Sequence, residues 1–417
     1  MPDVQVEEQR IEQVGAHPRR LMAMLGPAFV AAVAYVDPGN VAANVTAGSR
    51  YGFMLTWVLV LASAMAVLVQ YQSARLGIVT GQSIPELLAK RLGTTGRRLY
   101  WLQAEVVAAA TDLAEVIGGA IALQLLFGLP LVWGGVIVGI ASMALLALKD
   151  HRGQRAFENT IIVFLGVIAL GFLSALFLQP PSLSDVAGGL VPRFQGTDSV
   201  LVASSMLGAT VMPHAIYLHS SLVGDRHGAA VSDSRIKQLL KASKLDVVGA
   251  LIFAGMVNVG LLLLAAHALR GVPGTDTIEG AHSAVSSAFG PVIGTLFAVG
   301  LLASGLASTS VGAYAGSEIM RGLLHVQLNL YVRRLLTIIP ALVILALNAE
   351  PTWALVISQV VLSFGIPFAV IPLMVLTQRS SVMGKWRNGY LLGAATLITC
   401  ALIVGLNILL LTLMIIG

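Results

Sequence analysis

Asp37 stands in the middle of an apolar run, Ala32-Val33-Ala34-Tyr35-Val36-Asp37-Pro38-Gly39-Asn40-Val41. A carboxylate at the centre of a membrane span costs roughly 2.5–3.5 kcal/mol on insertion scales, so it calls for a function. Asp-Pro-Gly-Asn is turn chemistry, because Pro fixes φ and Gly accepts positive φ. Within a span it unwinds the helix and frees the carbonyls just before Pro38, and free carbonyls at membrane depth must bind something. A second break, Gly208-Ala209-Thr210-Val211-Met212-Pro213-His214, carries a thioether and an imidazole. Together the breaks offer the Asp37 carboxylate, the Asn40 amide oxygen, backbone carbonyls near Ala34 and Ala209, and the Met212 sulfur. Sodium, magnesium and calcium want oxygen alone. A thioether suits Mn²⁺, Fe²⁺, Co²⁺ or Cd²⁺ and mainly serves to reject Mg²⁺ and Ca²⁺. This donor set points to a divalent transition metal. Taken singly, a Pro kink or a packing Met212 is the plainer reading, and for His214 an interhelical hydrogen bond weighs as much as a functional role; Asp37 and Asn40 beside the first break tip the balance.

A second constellation lies on one downstream helix. Glu105, Asp112 and Glu115 fall within roughly an 80° arc at 100° per residue. Three acids on one buried stripe need counter-charges or protons. Arg333 and Arg334 are the available cations, and His214 and His219 could carry protons from the metal site. A static ion-pair network is the alternative.

The elements that must position these groups follow from composition. Of 417 residues, 11% are charged and 57% are apolar, where a soluble domain carries roughly 25% charge. With a mean hydropathy of +0.86, a soluble enzyme is excluded. The single cysteine, Cys400, rules out a disulfide framework and a cysteine metal cluster. Apolar runs long enough to cross a bilayer as helices are expected at about 23–47, 54–76, 99–126, 130–148, 158–178, 199–221, 246–269, 288–315, 335–349, 352–377 and 390–416. Runs of this kind without period-2 alternation are not barrel strands, so the fold class is an all-α integral membrane bundle.

Threading eleven spans with the N-terminus in the cytoplasm places 22 of the 25 basic residues inside and only Arg50, Arg193 and Arg270 outside. The basic pI then reflects topology rather than a nucleic-acid surface. Residues 1–22 lack the order of a signal peptide and read as a cytoplasmic tail. Most loops are too short for an extramembrane domain, so function is expected within the membrane; no obligate protein partner and no cofactor is evident. Ser83-Ile84-Pro85-Glu86 and Ser234-Arg235-Ile236-Lys237 could each open a short interfacial helix. Four acids, Asp37, Glu105, Asp112 and Glu115, are left as the costly intramembrane exceptions. The two breaks begin five spans apart, which points to two inverted repeats, 23–178 and 199–377, joined by an external loop 179–198 and followed by an eleventh helix in 378–417.

Six segments in order carry a resemblance over the whole chain: Asp37-Pro38-Gly39-Asn40; Ala110-Thr111-Asp112-Leu113-Ala114-Glu115; Met212-Pro213-His214 with Tyr217-Leu218-His219-Ser220; Arg333-Arg334; Ser358-Gln359; and Ser363-Phe364-Gly365. The chain resembles the Nramp divalent-metal transporters, and among them the bacterial proton-coupled manganese importers. The resemblance implies a LeuT-like fold of two inverted five-helix repeats plus one further helix. It implies that Asp37, Asn40 and Met212 coordinate the metal, that Ala34 and Ala209 lend carbonyls in different conformations, and that Gln359 joins on occlusion. It also assigns Glu105, Asp112, Glu115, His214, Arg333 and Arg334 to the proton pathway. The implied activity is Mn²⁺ or Fe²⁺ import with H⁺ across a bacterial inner membrane, not catalysis. Thr277-Ile278-Glu279-Gly280-Ala281-His282 is less acidic and aromatic than expected of relatives, which bears on the outer vestibule. A sodium-coupled amino-acid carrier of the same architecture is disfavoured by Asp37, and an intramembrane metalloenzyme by the absence of H-E-x-x-H. A passive channel remains compatible with the ligands alone.

Overall fold

The computed structural model describes residues 26–228, 232–326, 329–347 and 350–416; the expected tail at 1–22 lies outside them. Among the described residues the chain forms helices, turns and loops. In chain order the helices are α1 (Pro27–Ala34), α2 (Pro38–Tyr51), α3 (Thr56–Thr80), α4 (Ile84–Ala89), α5 (Thr94–Phe127), α6 (Leu131–Arg152) and α7 (Gln154–Leu178). Next come α8 (Leu183–Gly188), α9 (Gly196–Thr210), α10 (Pro213–His227), α11 (Asp233–Leu264), α12 (Ile278–Phe289) and α13 (Pro291–Leu324). The last are α14 (Leu330–Ala346), α15 (Pro351–Gln378), α16 (Ser380–Met383) and α17 (Tyr390–Ile416).

The expected apolar runs are helical over most of their length, but they divide differently. The first and sixth are each two helices. A 3₁₀ turn at Gly52–Leu55 joins α2 to α3, so Pro38–Thr80 is one helical stretch. Among the described residues, eight stretches are long and apolar enough to cross a membrane, and Leu131–Ala147 is a shorter apolar helix. Large apolar side chains such as Phe177, Leu391 and Ile415, each more than 80% exposed, cover the outer surface. In water such a surface would aggregate; in a bilayer it meets lipid.

Local chemistry sets many boundaries. Pro27, Pro38, Pro213, Pro291 and Pro351 each open a helix, where the missing N–H costs nothing. Ser83 and Glu86 form the expected capping box at the start of α4. The second expected interfacial helix does not form: Ser232 caps α11, and Ser234 lies inside a continuous helix that runs from Asp233 to Leu264. The apolar periodicity there never breaks, so no boundary interrupts it.

The four half-helices α1, α2, α9 and α10 lie inside a cage of α3, α5, α11, α13 and α15. The long helices α5 and α13 cross at glycines. A Cβ on Gly305 would stand 3.0 Å from the Gly119 amide nitrogen and 3.1 Å from the Glu115 carbonyl oxygen, so bulkier residues would force the two backbones apart. Helix α17 packs on α15, α9 and α3, and its outer face is exposed to lipid.

Candidate metal-transport site

At the first break, α1 ends at Ala34 and α2 begins at Pro38, with Asp37 in extended conformation as its cap. Asp37 Oδ1 accepts hydrogen bonds from the Asn40 backbone N–H at 2.8 Å and from Asn40 Nδ2 at 2.9 Å. The second break has the same form: α9 ends at Thr210, Val211 leaves the helical conformation, Met212 is extended, and Pro213 opens α10. Asn40 Nδ2 also donates to the Ala209 carbonyl oxygen at 2.8 Å, which binds the two breaks to each other across 169 residues of sequence.

Asp37, Asn40, Ala34, Ala209, Met212 and Gln359 are all fully buried. Among the described residues, Asp37 Oδ2, Asn40 Oδ1 and Gln359 Oε1 receive no hydrogen bond from protein. Leaving such groups without a partner in a dry interior is costly. Three unspent oxygens of this kind, on the first break and on the helix packed against it, fit a hard-to-borderline cation. No cluster of three His, Cys, Asp or Glu occurs among the described residues, so any metal site here must draw on amide, carbonyl or thioether donors.

The carbonyls freed by the first break are largely spent elsewhere. The Tyr35 carbonyl accepts from Asn258 Nδ2 at 2.5 Å, and the Val36 carbonyl from the Ser304 hydroxyl at 2.5 Å. Asn44 Nδ2 in turn donates to Asn258 Oδ1 at 3.1 Å. Asn258 on α11 and Ser304 on α13 are therefore supports of the break that sequence reading missed. An Asn inside an apolar run was the available signal for the first; a serine carries no such signal.

Gln359 on α15 lies against both breaks. A Cβ on Gly39 would run into its side chain, and a Cβ on Gly208 would run into its carbonyl oxygen. Glycine is required at both positions for that close approach. Gly118 on α5 makes room for the Pro38 ring in the same way.

The acid stripe of α5 faces α13 and α14. Arg333 Nη2 stands 2.8 Å from Glu105 Oε1, and Arg334 Nη1 stands 2.9 Å from Asp112 Oδ1. Arg334 Nε also donates to the Ser142 hydroxyl at 3.1 Å. Glu115 is fully buried, has no arginine among its ion pairs within the described residues, and lies against Gly312, where a Cβ would be 3.1 Å from its Oε2. His214 Nδ1 is 3.4 Å from the Thr111 hydroxyl, which brings that ring beside the stripe.

His219 does not join it. Its Nδ1 meets Gln70 Oε1 at 2.9 Å, and Gln70 Nε2 donates to the Tyr35 hydroxyl at 2.6 Å. Five residues of helix turn the two imidazoles about 140° apart, so His219 faces α3 and α1. Three further acids are buried outside this stripe and the breaks. Asp246, Glu158 and Glu318 are nearly fully buried as well. Asp246 accepts from the Gly26 and Ala28 amides at the start of α1, at 3.1 and 3.0 Å; Glu158 pairs with Arg226, and Glu318 with Arg321. Glu158 and Glu318 lie toward the ends of their helices beside arginines, while Asp246, midway along α11, meets the free amides that open α1.

Two discontinuous helices crossing at a buried polar centre, in a bundle with an apolar exterior, define a membrane transporter of the LeuT-like class rather than an enzyme. The family described as "Natural resistance-associated macrophage protein-like" (Nramp) matches residues 28–413, and the chain belongs to it. The chain is 58% identical over 365 residues to the "Divalent metal cation transporter MntH" of Mycobacterium tuberculosis (strain CDC 1551 / Oshkosh), covering 88% of this chain and 85% of that protein. It is similar to a crystal structure of the Eremococcus coleocola manganese transporter in complex with an aromatic bis-isothiourea substituted compound: TM-score 0.85, 30% identity, 94% of this chain and 86% of that one. The crystal structure of MhsT in complex with L-phenylalanine shares the fold alone, with a TM-score of 0.56 and 15% identity over 94% of this chain and 97% of that one.

Proposed function

We propose that the chain imports divalent transition metal, Mn²⁺ first and also Fe²⁺, Co²⁺ and Cd²⁺, with protons and by alternating access across the bacterial plasma membrane. The observation that carries this reading is the junction of the two breaks, where the Asn40 amide spans Asp37 Oδ1 and the Ala209 carbonyl. The relatives named as divalent metal cation and manganese transporters support it.

On this reading the metal binds Asp37, Asn40 and Met212, with the carbonyls of Ala209 or Ala34 contributing in different conformations and Gln359 closing over it. A metal ion and a proton compete for the same buried carboxylate, which gives a physical means of coupling them. The proton then passes by His214 to Asp112, Glu115 and Glu105, with Arg333 and Arg334 holding the field; His219 serves the Gln70 and Tyr35 contact instead. The helices at 23–178 and 199–377 act as the two inverted repeats. The basic face is cytoplasmic, with the N-terminus inside and the C-terminus outside.

Metal-competition uptake into proteoliposomes under an imposed pH gradient tests this. Mn²⁺ should accumulate above its equilibrium level with an inward proton gradient, and Asp37→Ala should abolish uptake. Uptake that never exceeds equilibrium would make the protein a passive channel. Uptake unchanged in Asp37→Ala would remove that residue from the site.

A further inference from the structure

The basic residues on the loop face opposite the basic belt have distinct fates. Arg50 is spent on Asp276 at 2.6 Å. Arg193 and Arg270 line a single cavity of about 510 Å³ between the α2–α3 turn and the segment that follows α7. Among the described residues, neither takes part in an ion pair. Asp185 shares the rim, and its Oδ2 accepts the Ser182 hydroxyl at 2.6 Å. The Arg270 guanidinium is held against Gly52, where a Cβ would stand 2.8 Å from Nη1. Two guanidinium groups without a carboxylate partner, in one cavity, suit an oxyanion.

A second cavity explains what carries that anion. An apolar groove of about 260 Å³ runs between α3, α9 and α17, with Leu61, Met65, Leu207, Gly405 and Leu409 in its walls. Phe194 lines both the groove and the arginine cavity. Trp57, also in the groove, meets Phe194 edge-on with ring centroids 5.4 Å apart. A cationic pocket and an apolar channel that meet at Phe194 follow one another as the phosphate and acyl chain do in a phospholipid.

We infer that one anionic phospholipid binds here, its phosphate between Arg193 and Arg270 and one acyl chain in the groove between α3, α9 and α17. The site touches the end of α2 through Tyr51 and the side of α9 through Ala203 and Leu207, so the lipid braces one half-helix of each break.

Native mass spectrometry of the full chain in detergent, titrated with phosphatidylglycerol or phosphatidylcholine, tests the assignment. Phosphatidylglycerol should be retained in preference to phosphatidylcholine. Retention should weaken about thirtyfold in R193Q/R270Q, as expected for two basic residues near a lipid phosphate. Gly405→Trp, whose added side chain enters open space, should block the chain end and lower retention as well. Mn²⁺ binding by calorimetry should be unchanged in both variants, and because they disable opposite ends of the site, loss of fold in one leaves the other as the test. Equal retention of the two lipids, or wild-type retention in either folded variant, overturns the proposal. So does thermal protection by inorganic phosphate that matches phosphatidylglycerol and survives Gly405→Trp, which would make the cavity a free-anion site.

Discussion

Arg334 Nη1 stands 2.9 Å from Asp112 Oδ1 with both side chains almost wholly excluded from solvent, one helix turn from the unpaired Glu115. Removing one member of a buried pair strands the other's charge and typically costs about 3–5 kcal/mol. Arg334→Gln or Asp112→Asn should therefore lower the melting temperature in detergent sharply, whereas the double variant should recover most of the loss. Additive losses in the double variant would show that the two charges do not depend on each other.

Glu115 has no such partner and is the member of the stripe freest to exchange a proton. Glu115→Gln keeps its volume and hydrogen-bonding capacity but removes titration. Mn²⁺ binding by calorimetry should stay within a few-fold of wild type, while the dependence of uptake on external pH should flatten. An unaltered pH profile favours a static network for this stripe.

Met212 is the one soft donor at the breaks. Met212→Ala should retain some Mn²⁺ transport and admit Ca²⁺ or Mg²⁺, because only oxygen donors would remain. Continued exclusion of Ca²⁺ from uptake would show that the sulfur is not the filter.

Gly39 and Gly208 both approach Gln359 too closely for a side chain. Gly39→Ala should overpack the break, at a cost of about 1–3 kcal/mol, and depress Mn²⁺ uptake. Adding Gln359→Ala should relieve the clash, so stability should return even if transport does not. A Gly39→Ala variant as stable and active as wild type would mean that α15 does not press on the break.

Asp246 holds the first amides of α1, 220 residues away in sequence. Loss of a helix cap costs about 1 kcal/mol, roughly a fivefold change in opening. Asp246→Ala should speed amide exchange at Gly26 and Ala28 by about that factor, measured by hydrogen exchange, with little change in α2. Unchanged exchange would assign the anchoring of α1 to other contacts.

Both breaks were legible in the sequence because their causes are local. Proline removes a donor, glycine permits the turn, and a carboxylate in an apolar run announces itself by its cost. The acid stripe was legible for the same reason, since helical spacing alone puts Glu105, Asp112 and Glu115 on one face. What the sequence could not decide was which way each helix is rotated and what faces it. Only the packed structure pairs Arg333 with Glu105 and Arg334 with Asp112, turns His219 toward Gln70 and away from the acids, and commits the Tyr35 and Val36 carbonyls to Asn258 and Ser304. Those contacts join residues more than a hundred positions apart. In a bundle whose helices all read as apolar, no local pattern encodes them; close packing at Gly39, Gly118 and Gly208 does.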